Sequence, residues 1–163
     1  VHQFKNKLHI IRDCNFEIQT LDDAEYLTTF LSNFFPDPGR VTLGISELLI
    51  NAVEHGNLGI TYAEKTELNK QSKWQEEVQR RLSLPEYKDK KVFVNLVKEN
   101  REIVITITDE GTGFDWSDYM EMSAERATDN HGRGIAMSKM ASFDELEYRG
   151  KGNEVVCRVF LPT

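Results

Sequence analysis

The chain has 163 residues, of which 39% are hydrophobic and 29% charged, with nine Phe and five Tyr; this is enough for one domain with a sizeable core. The net charge is −7 and no basic stripe is visible, which argues against nucleic acid as a partner. No apolar run approaches the roughly 20 residues of a membrane helix, and nothing resembles a signal peptide, so a cytoplasmic location away from membranes is expected.

Residues 8–20 alternate loosely and are expected to form a strand. Asp22 or Asp23 can cap the helix that follows, in which Ala24, Leu27, Phe30, Leu31 and Phe34 recur at helical spacing until Pro36-Asp37-Pro38-Gly39 breaks it. A second helix is expected from about Val41 to Glu54. On a wheel of about 100° per residue, Val41, Ile45, Leu48, Leu49, Ala52 and Val53 form one face. Glu47, Asn51, Glu54 and His55 form the other, and His55-Gly56-Asn57-Leu58-Gly59 carries C-terminal stop signals. Residues 62–88 are rich in Lys, Glu, Gln and Arg. Leu68, Trp74, Val78 and Leu82 give a narrow apolar stripe there, predicting one inserted helix on the domain, ended by Pro85, or alternatively a partner-binding helix.

Val92 to Val97 and Ile103 to Thr108 read as a hairpin turning at Glu99-Asn100, with Asp109-Glu110-Gly111-Thr112-Gly113 directly after it. Residues 115–131 show little apolar periodicity and read as a mobile loop. Gly132-Arg133-Gly134 opens a short helix, and a last hairpin runs from Phe143 through Gly150-Lys151-Gly152 to Leu161. Cys14 and Cys157 fall in strands as small core residues, and neither has a neighbouring Cys or His at metal-site spacing. The chain begins with Val rather than Met, as a piece of a longer protein would. Helices and strands do not strictly alternate, which predicts an α/β two-layer sandwich with a mixed sheet and helices on one face.

Three constellations carry chemistry. Glu47-x-x-x-Asn51 points a carboxylate and an amide the same way. The carboxylate can accept a proton, and the amide oxygen can ligate Mg²⁺; the alternative is a solvated helix face. Asp109-x-Gly111-x-Gly113 ends a strand. Its carboxylate can accept a hydrogen bond from an adenine amino group while the glycines allow close approach; the alternative is an ordinary turn. Gly132-Arg133-Gly134-Ile135 offers free backbone N–H groups to phosphate at a helix start, with His131 before it either part of the site or a loop histidine. An acidic domain binding a polyanion needs such local help.

In order, Ser46-Glu47-Leu48-Leu49-Ile50-Asn51-Ala52-Val53-Glu54-His55-Gly56-Asn57 resembles the N-box of the GHKL (Bergerat-fold) ATPases. Asp109-Glu110-Gly111-Thr112-Gly113-Phe114 resembles their G1 box and His131-Gly132-Arg133-Gly134-Ile135 their G2 box. The resemblance runs from about Leu21 to Pro162. It implies a single domain over residues 1–163, interrupted by a charged helical insertion at about 60–90, that binds ATP and Mg²⁺. In it Asn51 would ligate Mg²⁺, Asp109 would bind adenine, and Gly111 and Gly113 would shape the adenine side. Gly132, Arg133 and Gly134 would receive the phosphates, residues 115–131 would be the lid, and Glu47 the base.

The Glu-His-Gly-Asn ending and compact lid look most like the anti-sigma-factor serine kinase branch, whose members bind a sigma factor and phosphorylate a serine on an antagonist protein. A homodimer through the first strand would be consistent with that branch. The Gly-Asn-Leu-Gly and the insertion are similar to modules attached to a receiver domain in bacterial response regulators. Two other functions stay in view: an ATP-gated partner-binding module with little turnover, and the catalytic domain of a sensor histidine kinase. The last needs a helical hairpin with an acceptor histidine, and none of His2, His9, His55 or His131 reads as lying on one. Gly152-Asn153 stands where the family often has Gly-Thr, which puts a water-mediated adenine contact in doubt.

Overall fold

The structure is a computed structural model that describes residues 8–113 and 141–162. Leu8–Ile10 form a short 3₁₀ turn, and the first strand, β1, is confined to Asp13–Ile18. Helix α1 spans Leu21–Ser32. Its cap is Thr20 rather than Asp22 or Asp23. The Thr20 hydroxyl accepts from the Asp23 N–H at 3.0 Å, while Asp23 Oδ2 accepts from the Thr20 N–H at 3.0 Å. This reciprocal pair satisfies donors that a helix start leaves open.

The Pro-rich break also starts the next helix. Asp37 caps α2, Pro38–Asn51, and Pro38 occupies its first turn, where no N–H is needed. The expected apolar face is buried: Val41, Ile45, Leu48, Leu49 and Val53 are each at most 2% exposed. The helix does not stop at His55. It widens into a π-helical turn, Ala52–Asn57, closed by the Leu58 N–H donating to Val53 O at 3.0 Å. A wider turn advances the phase of the wheel. Glu54, expected on the polar side, is consequently fully buried.

The insertion is two helices, α3 (Tyr62–Lys70) and α4 (Trp74–Leu82), rather than one. Ser72 takes a left-handed φ of 56°. The Ser72 and Lys73 N–H groups close α3 on the Asn69 and Leu68 carbonyls at 3.2 and 2.9 Å, a Schellman-type stop. The apolar stripe still turns inward: Val78 is buried, and Leu68, Trp74 and Leu82 pack against the core.

Strands β2 (Val92–Glu99) and β3 (Glu102–Asp109) form the expected hairpin. Asn100 and Arg101, both at positive φ, make its turn. Strands β4 (Glu145–Arg149) and β5 (Glu154–Phe160) form the second hairpin. The sheet order is β1-β2-β3-β5-β4. The α/β two-layer arrangement is as expected. The sheet is antiparallel throughout the described residues rather than mixed. The helical excursion after β1 returns the chain to the end where β1 finished, pairing Ile18 with Val92, so β2 runs back rather than alongside.

Register aligns Phe16, Val94, Ile107, Val155 and Tyr148 on one face. These residues share a cluster with the apolar faces of α1 and α2, so the helices cover that face. The other face carries Glu17, Phe93, Thr108, Glu154 and Arg149 in one row. Among the described residues no helix is long and apolar enough to cross a membrane.

Gly44 lets α2 lie against the segment entering β4. A Cβ there would stand 2.5 Å from Ser142 Cβ and 2.7 Å from the Phe143 ring, and the Gly44 N–H donates to Ser142 Oγ at 3.0 Å. Gly44→Ala is therefore expected to destabilise the fold by about 1–3 kcal/mol in urea denaturation, despite the better helix propensity of Ala.

Candidate functional site

The end of β3 and the π-helical turn meet in backbone contact, and the contact requires glycine on both sides. A Cβ on Gly56 would stand 2.4 Å from the Asp109 carboxyl carbon. A Cβ on Gly111 would stand 2.1 Å from the Gly56 carbonyl oxygen. The Glu110 N–H donates to Asn57 Oδ1 at 2.7 Å, pinning the strand exit to the turn. The Gly111 N–H donates to Asp109 Oδ1 at 2.8 Å and fixes the orientation of the carboxylate.

Asn153 holds the same strand end from the other side. The Asp109 N–H donates to Asn153 O at 2.9 Å, and Asn153 Nδ2 donates to Asp109 O at 3.1 Å. The departure from Gly-Thr is thus partly structural, because the Asn amide is engaged with backbone. Gly113 at φ 85° lies against Lys151, where a Cβ would stand 2.1 Å from the Lys151 carbonyl oxygen.

These contacts border a cavity of about 420 Å³ lined by Asn51, His55, Gly56, Asp109, Gly113 and Asn153 among others. Asn51 and Asp109, distant in sequence, therefore share one cavity. Asn51 Nδ2 is buried and has no hydrogen-bond partner among the described residues. Gly111 lies beneath Asp109 rather than on the cavity wall. Glu47 is half-buried one helical turn before Asn51 and is not part of the lining. Its charge is felt by Glu54, whose carboxyl is raised above the ordinary range chiefly by burial, with Glu47 adding to the rise and Lys65 and the Trp74 indole opposing it. Gly132, Arg133 and Gly134, and the expected lid over 115–131, lie outside the described residues.

Sequence reading did not single out Gly56, Asn57, Tyr62 or Tyr148 for the site. Gly56 and Asn57 had a local signal, the Gly-Asn after the helix. Tyr148 had only strand alternation, which reads as core, and indeed it is buried. It reaches the cavity because β4 is the sheet edge beyond β5.

Burial pushes the Asp109 carboxyl up to about 6, against the pull of the Gly111 N–H and of Lys151 and Lys90. A buried acceptor with a rigid donor on one oxygen suits a ligand that supplies a second donor. An adenine amine would be such a donor. Asn51 offers an amide to a Mg²⁺ ion. Among the described residues no group of three or more His, Cys, Asp or Glu could hold a metal ion.

The fold is thus a two-layer sandwich in which an acidic strand end meets a glycine-flanked helix end. Residues 24–159 match the family model of the histidine kinase-like ATPase domain, and the chain belongs to that family, of the GHKL type. It is an ATP-binding domain. A search of the curated proteins returned no match.

The Asp109 carboxylate should cost stability until a ligand arrives. Its folded-state proton affinity exceeds that of an ordinary aspartate at 3.8, so stability is greatest at low pH and falls as pH rises from about 4 through 6. The difference corresponds to at most about 3 kcal/mol. Asp109→Asn is accordingly expected to raise the melting temperature of the nucleotide-free protein at pH 7.5. The same variant should weaken ATP binding at least 100-fold by calorimetry, because its amide turns a donor toward the adenine donor.

Proposed function

We propose that this domain is a Mg-ATP-dependent regulatory protein of the anti-sigma-factor type, transferring phosphate to a serine or threonine of an antagonist protein. The observation that supports the nucleotide part of the reading is the shared cavity of Asn51 and Asp109, with Asn51 Nδ2 buried and unpartnered among the described residues. Asp109 would accept from the adenine amine, with Gly111 holding it and Gly113 shaping the wall. Asn51 would ligate Mg²⁺. Gly132, Arg133 and Gly134 would receive the phosphates. Bound ATP would supply the phosphoryl group, and Mg²⁺ would neutralise charge on it.

Glu47 lies off the cavity wall. In this reading it serves as a base for a second substrate, taking the proton of the acceptor hydroxyl. The partners in this reading are a sigma factor or its antagonist, an attached receiver domain and a second copy of the chain.

The same position of Glu47 favours a second reading, in which ATP controls partner capture with little turnover. Labelled ATP and a candidate antagonist protein distinguish the two. The kinase reading expects acid-stable phosphoserine or phosphothreonine on the antagonist, and Glu47→Ala should slow transfer about 100-fold or more with ATP affinity unchanged. Equal transfer by the variant would remove Glu47 as the base. No transfer by either protein, with ATP bound, would favour the gated module. Acid-labile phosphate would point instead to a sensor histidine kinase domain.

A further inference from the structure

The insertion does more than cover the core. It begins with Thr61 and Tyr62, and both line the cavity that holds Asn51 and Asp109. Thr61 caps α3, accepting from the Glu64 N–H at 3.1 Å, which fixes where Tyr62 leaves the backbone. The Tyr62 ring lies against the His55 imidazole with centroids 4.1 Å apart and planes tilted by 48°. The His55 ring is itself held by the Ile60 carbonyl through Nδ1. Tyr62 is therefore a half-buried aromatic on the cavity lining, packed against His55 of the same lining.

Its place along the cavity is set by His55, which its ring contacts and whose chain neighbour Gly56 abuts the Asp109 carboxylate. The Tyr148 hydroxyl is driven well above the usual tyrosine range, first by burial and then by the neighbouring Tyr62, Cys157 and Asp109.

This packing is anchored from below. Lys65, one turn after Thr61, places Nζ 2.8 Å from Glu54 Oε2, and Glu54 is fully buried in the π-helical turn. Lys65 also stands over the Trp74 ring at 5.0 Å, joining α4 to the same point. Arg81 of α4 adds a hydrogen bond to Leu58 O at 2.8 Å and an ion pair with Glu64 of α3 at 2.7 Å.

We propose that Tyr62 is a nucleoside-contacting wall of the pocket supplied by the insertion, and that the buried Glu54–Lys65 pair is the positioning clamp that holds it there. This rests on the adenine-nucleotide reading of the cavity. The contact is to base and ribose rather than to phosphate, because the His55 that Tyr62 packs against adjoins Gly56 at the Asp109 carboxylate. The insertion thereby becomes part of the nucleotide site, and whatever displaces α3 changes nucleotide affinity.

Calorimetric titration of the whole chain with ADP and with adenosine tests this. Tyr62→Ala should weaken both ligands by the same factor, about five- to tenfold, and Tyr62→Phe should restore binding to within about twofold. Glu54→Gln with Lys65→Met removes both charges, so no unpaired ion is buried, and it should reproduce the Tyr62→Ala loss. Adding Tyr62→Ala to that pair should cause little further loss.

Tyr62→Ala binding as tightly as the wild type, or more tightly, would overturn the wall. Weakening of ADP alone, with adenosine unchanged, would also overturn it by placing Tyr62 at the phosphates. Full affinity in the Glu54→Gln, Lys65→Met protein would overturn the clamp. Loss of binding in Asp109→Asn but not in Tyr62→Ala would sink this inference and leave the nucleotide reading standing. A wild-type chain that binds neither ligand would sink both.

Discussion

The close approach of the π-helical turn to the end of β3 is the constraint on which the site depends. At this point two backbones touch, with Gly56 against the Asp109 carboxylate and the Gly56 carbonyl against Gly111. Only residues without a Cβ allow that distance. The approach fixes three things together. It buries the carboxylate, directs one oxygen to the Gly111 N–H at 2.8 Å, and brings Asn51 onto the same cavity. The Asn57–Glu110 hydrogen bond holds the approach closed from the turn side, and Asn153 holds it from β5.

The fold carries costs at this junction. The partly buried Asp109 carboxylate, pushed up to about 6 by burial, opposes folding at neutral pH. The wide turn that positions Gly56 also rotates Glu54 into the interior, where it needs Lys65 as a counter-ion. A buried pair of this kind contributes little net stability against an apolar replacement, yet breaking it from one side costs about 3–5 kcal/mol. Its effect here is geometric: it ties the charged insertion to the residues next to the nucleotide pocket.

Much of this was legible from residue order. The apolar face of α2, both hairpins and the Asp109-x-Gly111-x-Gly113 strand end follow from period and turn chemistry. Asn51 stood out only through the resemblance of its segment to the N-box, because an amide four residues after Glu47 also reads as a solvated helix face. Other features depend on distances that spacing does not encode. The π-helical turn has no local signature in Ala52 to Asn57, so the wheel put Glu54 on the wrong side. Ser72 breaks the insertion although neither Gly nor Pro marks the stop. The strand senses follow from where α1 to α4 return the chain, which periodicity does not report. Tyr148 and Tyr62 belong to the cavity only because a sheet edge and an inserted helix converge there.

The central claim is that an adenine nucleotide binds against Asp109 where the glycine-lined turn meets the strand. An amide NMR titration of the protein with ADP tests it most directly. The account predicts that the amides of Gly111, Gly56 and Glu110 shift most among the residues described here, with Asn15, Phe93 and Asn95 on the far face of the sheet unmoved. Saturable shifts confined to that far face, with Gly111 and Gly56 unchanged, would contradict it.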